Sequence, residues 1–147
     1  MHAISVRQKM RTEFCEKYYS LPLFCLMSLG NTTDAMKLLA KGADPHFVDS
    51  RDGWAGIHYA ARWGRTKIIE ALMQAGVDIN QRTTGKESPL HKACRSNRKD
   101  TVIWMLLHGA DPKMRNGNGE RPSDLTLCDT CAYICDHFQP FLSRWQS

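Results

Sequence analysis

Four stretches of this 147-residue chain start alike and recur at almost constant spacing. "LPLFCLMSLGNTTDAMKLLAKGADP" begins at Leu21, "AGIHYAARWGRTKIIEALMQAGVDI" at Ala55 and "SPLHKACRSNRKDTVIWMLLHGADP" at Ser88. "RPSDLTLCDTCAYICDHF" begins at Arg121 and then departs from the pattern. The starts lie 34, 33 and 33 residues apart. A period of this length signifies an array of small units, each stacked on the next.

Each unit reads as two short helices. Pro22, Gly56, Pro89 or Pro122 stands second, where a helix's first N–H lacks a partner and proline costs nothing. A short apolar helix follows, with Leu23, Leu26 and Met27 in the first unit, Ile57, Ala60 and Ala61 in the second, and Leu90, Ala93 and Cys94 in the third. Gly30, Gly64 or Asn97 breaks it, since these residues tolerate the left-handed backbone that ends a helix. The second helix carries apolar residues at helical spacing: Ala35, Leu38, Leu39; Ile68, Ile69, Leu72, Met73; Val102, Met105, Leu106. Gly42, Gly76 and Gly109 stop it, and an extended polar tip leads onward.

"GIHYAARWGRTKIIEALMQAGVDIN" and "SPLHKACRSNRKDTVIWMLLHGADP" resemble the ankyrin repeat, whose pattern runs T-P-L-H, A-A, G, L-L, G-A-D. The resemblance covers residues 21–127 and is strongest in the two middle units. It implies an all-α solenoid of helix-turn-helix pairs joined by hairpin-like finger loops. One helix pair cannot bury its own apolar face, so neighbours stack and terminal units become caps. The expected organisation is an N-terminal capping helix or tail over residues 1–17, repeats over 18–127, and a C-terminal capping helix and tail over 128–147. Val6, Met10 and Phe14 form one helical stripe, followed by Tyr18, which suits the N-terminal cap.

The departures from the pattern are local. Ser88 keeps the hydroxyl that the family's threonine offers the histidine, here His91; Ala55 cannot do so for His58. The tip before Trp54 carries one extra residue, and in the next tip Gly85 stands one place early.

The bulk composition supports an ordinary domain. Hydrophobic residues make up 42% and charged residues 24%. No apolar run approaches the roughly 18 residues of a membrane span. "MHAISVRQKMRTEF" contains no apolar leader core, so a cytoplasmic or nuclear location is expected, with the six cysteines as free thiols. A net charge of +5 is too mild to point to nucleic acid.

Few residues suggest chemistry. His58 and His91 hold equivalent repeat positions and read as architecture. "TTGKES" lacks the first glycine and the final Ser or Thr of a phosphate loop, since Asn80 and Glu87 stand there. No nucleophile is placed beside a base and a carboxylate, so the chain reads as a non-enzyme without a cofactor. Cys128, Cys131, Cys135 and His137 are four soft ligands, but their spacing also fits the core face of a capping helix, so they rank as weak metal or redox candidates. The ankyrin resemblance implies a second candidate: Asn80, with Leu72 eight residues before it, is similar to sites of the asparaginyl hydroxylase that also acts on hypoxia factors.

The resemblance also implies where a partner binds, on the concave face made by the finger tips and the first helix of each pair. That face is expected to carry Arg51, Asp52, Trp54, Arg62 and Trp63, then Lys86, Glu87, Lys92, Arg95 and Ser96, then Asn118 and Glu120. Exposed tryptophans are typical anchors, the alternative being that Trp54 packs under its own finger and Trp63 pads the neighbouring unit, and the cations favour an acidic or phosphorylated protein segment. Some histone-methyltransferase ankyrin domains build a methyl-lysine cage at the positions of Trp54 and Tyr59. Here Arg62 and Lys92 place positive charge beside those rings, which disfavours that ligand. The reading is a non-catalytic adaptor or scaffold, a monomer or a member of a hetero-complex. The alternatives are an inhibitory or regulatory subunit of an enzyme or transcription factor, and a zinc- or redox-responsive module.

Overall fold

The computed structural model describes residues 32–138, and these contain seven helices and no strand. In chain order they are α1 (Thr32–Ala40), α2 (Gly56–Arg62), α3 (Thr66–Gln74), α4 (Pro89–Arg95), α5 (Lys99–Leu107), α6 (Pro122–Leu125) and α7 (Asp129–His137). The first helix of the first unit and the proposed N-terminal cap lie outside the described residues, as do Trp145 and the tail beyond Phe138.

The helices stand in two rows. Inner helices α2, α4 and α6 pack in succession, and each is backed by its outer partner, α3, α5 or α7. In the outer row α1 packs on α3 and α5 on α7. This is the all-α repeat solenoid that the period implies. One continuous core runs through it: Ile57, Ile68, Ile69, Leu72, Leu90, Val102 and Met105 are fully buried. Burying each such side chain contributes roughly 1.5–3 kcal/mol, so unit-to-unit stacking supplies most of the stability.

Histidines staple consecutive units. His58 Nδ1 accepts the Ala55 N–H at 3.0 Å, and its Nε2–H donates to the carbonyls of Gln81 and Glu87, at 2.9 and 3.2 Å, in the next finger. His91 repeats this one unit on, accepting the Ser88 N–H at 3.1 Å and donating to the Glu120 carbonyl at 3.0 Å. The Ser88 hydroxyl adds a 2.8 Å bond to Nδ1 that Ala55 cannot make. Both rings work as neutral imidazoles with both nitrogens used. Burial therefore pushes His58 down to about 4, and His91 is lowered too.

The fingers also follow from local rules. Finger one closes from the Asp49 N–H to the Trp54 carbonyl, finger two from Thr83 to Glu87, and finger three from Asn116 to Glu120. The extra residue of finger one is thus absorbed inside its turn. Gly53 and Gly119 take positive φ, and the equivalent residue of finger two is Lys86, at φ 59°. Gly85, one place early, leaves that strained position to a lysine. Asn97 likewise takes φ 53° where the preceding unit uses Gly64. Its side-chain oxygen accepts from the Thr126 hydroxyl at 2.8 Å and the Leu127 N–H at 3.2 Å.

Candidate functional site

The residues of the inner helices and fingers converge most closely between units two and three. Trp54 leaves finger one with its ring 4.7 Å from that of Tyr59. Lys92, reaching over from α4, places its ammonium 3.8 Å from the Trp54 ring centroid. The Arg62 guanidinium lies 5.8 Å from the Trp54 ring and 5.6 Å from that of Trp63. Trp54, Arg62, Lys92, Arg95 and Ser96 line an open cleft of about 330 Å³.

One carboxylate organises the cations. Glu87 pairs with Lys92 through one oxygen and with Arg95, at 2.5 Å, through the other. Burial alone would raise the Glu87 carboxyl; hydrogen bonding and charge from Lys92, aided by Arg95 and Asn116, hold it below its usual range. Burial lowers Lys92, against the pull of Glu87. Two expectations need correction here. Lys92 is only 5% exposed and Glu87 only 9%, so neither lies open to solvent as the concave face suggested. A charge taken out of water needs a partner, and each has found the other. Lys92 also fills the face of Trp54 that an external cation would use.

The remaining partner-face residues are exposed or half-buried. Arg51 is exposed and forks onto Asp49, at 3.2 and 2.9 Å. Asp52 accepts the Trp54 N–H at 3.1 Å, and its carbonyl receives the Thr84 hydroxyl at 2.6 Å, which ties finger one to finger two. Trp63 is 39% exposed, and among the described residues no carboxylate pairs with Arg62. Lys86, Arg95 and Asn118 are exposed, and Ser96 and Glu120 half-buried. Trp104 only borders the core, stacked on His108 at 3.7 Å.

Asn116 is the organising residue that sequence reasoning passed over. It is buried, its amide donates to Glu120 at 2.9 Å, and its oxygen accepts the N–H groups of Asn118 and Glu120. The signal was present: Asn before Gly in a turn bonds the backbone two residues on. Asn80 uses both ends of its amide on the next unit, donating to the Gly109 carbonyl at 3.1 Å and accepting the Asp111 N–H at 2.9 Å.

The weak metal candidates do not make up a ligand set. Cys131 and Cys135 are buried, Cys128 is half-buried, and His137 stacks on Tyr133 at 4.1 Å. Among the described residues no three His, Cys, Asp or Glu side chains are grouped to hold a metal ion. Nor, among them, is any helix long and apolar enough to cross a membrane.

Stacked helix pairs, stapling histidines and paired fingers define a class, and the comparisons agree. The family model for ankyrin repeats (3 copies) matches residues 23–116. The chain belongs to the ankyrin-repeat family. It is 36% identical over 73 residues to protein phosphatase 1 regulatory subunit 27 of Homo sapiens, covering 50% of this chain and 47% of that protein. It is 29% identical over 121 residues to alpha-latroinsectotoxin-Lt1a of Latrodectus tredecimguttatus, covering 82% of this chain and 8% of the toxin. It is 28% identical over 104 residues to BCL-6 corepressor-like protein 1 of Homo sapiens, covering 69% of this chain and 6% of that protein. The chain thus spans about half the length of the phosphatase subunit and under a tenth of the other two. Ankyrin repeats are protein-interaction modules and are generally non-catalytic.

Proposed function

We propose that the chain is a non-catalytic adaptor that binds an acidic or phosphorylated protein segment on its concave face, anchored at the cleft between units two and three. The observation that carries this is the charge arrangement of the cleft. Glu87 already neutralises Lys92 and holds Arg95, whereas Arg62 lies across Trp54 and Trp63 with no carboxylate partner among the described residues. A planar guanidinium on two indoles beside an open cleft suits a carboxylate or phosphate, flanked by apolar contacts to the half-wet Trp63. The test is affinity capture with the Arg62→Ala/Trp63→Ala double variant, with circular dichroism confirming its fold. At least a tenfold loss of captured partner is expected, and phosphatase treatment beforehand separates phosphate from carboxylate recognition. A folded double variant that captures as much as the parent sinks the mapped surface.

A second reading follows from the 36% identity to a phosphatase regulatory subunit. In it the bound partner is an enzyme and binding alters its activity. Assaying the captured partner with and without the chain decides between a passive adaptor and a regulator.

A further inference from the structure

Four cysteines lie along the end of the solenoid, and one of them comes from 34 residues earlier in the sequence than the other three begin. Cys94 on α4 and Cys135 on α7 lie with their sulfurs 3.6 Å apart and are buried, at 0% and 3% exposure. Cys131 precedes Cys135 by four residues, so the two are neighbours on one face of α7. Cys128 stands just before the first residue of α7, three residues ahead of Cys131, and is half-buried. The sulfurs therefore run as a file from the surface to the core.

We propose that Cys128, Cys131, Cys135 and Cys94 form a peroxide-responsive relay that ends in a Cys94–Cys135 disulfide clamping α7 to α4. The Cys128 sulfur attacks a hydroperoxide oxygen and the O–O bond breaks. The sulfur becomes a sulfenic acid, and the departing oxygen takes a proton and leaves as water or alcohol. The Cys131 sulfur then displaces the sulfenic oxygen as water and forms the Cys128–Cys131 bond. The Cys135 thiolate attacks Cys131 and expels Cys128 as a thiolate, which takes up a proton. Finally Cys94 attacks Cys135 and expels Cys131, and the proton that Cys94 gives up passes to the departing Cys131 sulfur. In sum one hydroperoxide is reduced, the Cys94 and Cys135 thiols are oxidised, and Cys128 and Cys131 return to thiols.

The entry and the end point both have physical reasons. The polar groups of Cys131, with those of Thr130 assisting, hold the Cys128 thiol below its ordinary range. This favours the reactive thiolate at the one thiol of the four that water reaches. Cys94 is pushed up because its S–H bonds to Cys135 and is buried, while that same bond lowers Cys135. Cys135 is thus the inner nucleophile, and Cys94 holds the proton. The inner pair needs only about 1.5 Å of approach to reach a bond of roughly 2.05 Å.

The test treats the full reduced chain with one equivalent of hydrogen peroxide, alkylates free thiols at timed intervals and maps cross-linked peptides by mass spectrometry. The expected result is a transient Cys128–Cys131 linkage that gives way to a Cys94–Cys135 linkage, reversed by dithiothreitol. The Cys128→Ser variant is expected to form the inner linkage at least tenfold more slowly, and Cys135→Ala to stop at Cys128–Cys131. Accumulation of sulfinic acid at Cys128 without a cross-link overturns the proposal. So does a lasting disulfide from Cys128 to Cys15 or Cys25, or an inner linkage that forms at unchanged rate in Cys128→Ser.

Discussion

Units two and three solve one problem in two ways. Trp54 and Glu87 hold equivalent positions at the end of successive fingers, as do Ala55 and Ser88, His58 and His91, and Gly53 and Lys86. Unit two closes on an aromatic ring and a histidine held by backbone alone. Unit three closes on a buried ion pair and a histidine held by backbone and hydroxyl. The frame is therefore set by backbone bonds common to both units, and the side chains added to it decide how each responds to mutation and to pH.

The largest difference should appear at Glu87. Removing this carboxylate strands the Lys92 ammonium, 5% exposed, against the Trp54 ring. Breaking one side of a buried pair costs about 3–5 kcal/mol. Glu87→Ala is expected to lower stability by that amount in urea unfolding, and Glu87→Leu with Lys92→Met to recover most of it. A Glu87→Ala chain as stable as the parent would mean that the pair is solvated and that Lys92 is free to meet a ligand.

Acid tests the two histidines next. Unfolded, each imidazole takes a proton near pH 6.5; folded, His58 takes one only at about 4. The unfolded chain therefore binds more protons between these values, and the stability is full above pH 6.5 and lost as pH falls towards 4. The gap of about 2.5 units corresponds to about 3 kcal/mol for this fully buried ring. Urea unfolding at steps between pH 7 and pH 4 measures the slope. His58→Gln is expected to be less stable at pH 7 yet to lose less on acidification. A slope left unchanged in that variant would show that His58 is not the group responsible.

A smaller effect belongs to the Ser88 hydroxyl. Ser88→Ala turns the start of α4 into the arrangement at Ala55: His91 keeps the Ser88 N–H at 3.1 Å and loses the hydroxyl at 2.8 Å. The expected loss is about 1 kcal/mol, the usual worth of an N-terminal cap. A loss above about 3 kcal/mol would show that the hydroxyl, and not the backbone, holds the ring.

These contrasts explain what was legible beforehand. The period of the chain, the apolar spacing of each helix pair and the capping residues dictate local geometry, so the solenoid and both histidine roles could be read directly. Lys92 and Glu87 could not: their positions fit an exposed inner face, and only the packing of Trp54 over Lys92 closes them off. Cys94 was visible as a core residue of unit three, but its contact with Cys135 spans 41 residues and depends on how the last helix lies. Local pattern fixes what recurs; pairings across units emerge only once the units are stacked.

Lys86 gives the finest test of the two-unit comparison. At φ 59° it holds a conformation that costs a lysine about 1 kcal/mol and a glycine nothing, and fingers one and three use Gly53 and Gly119 there. Finger two accepts the strain because Lys86 bonds its N–H to the Thr83 carbonyl at 2.9 Å, and because Gly85, displaced by one, gives its carbonyl to the Gly117 N–H at 2.8 Å. A Cβ on Gly117 would stand 3.1 Å from that oxygen, so fingers two and three approach closely where both have glycine. Lys86→Gly should relieve the strain but loosen the unfolded chain, leaving a gain of about 0.5 kcal/mol. Lys86→Asn relieves part of the strain with less loosening, and serves as the check. The reverse exchange is not symmetrical: a Cβ on Gly53 would meet the Thr84 backbone nitrogen at 2.7 Å, so Gly53→Ala should destabilise by more than Lys86→Gly stabilises. Equal and opposite effects at the two positions would show that backbone strain alone governs the fingers and that their close approach contributes nothing.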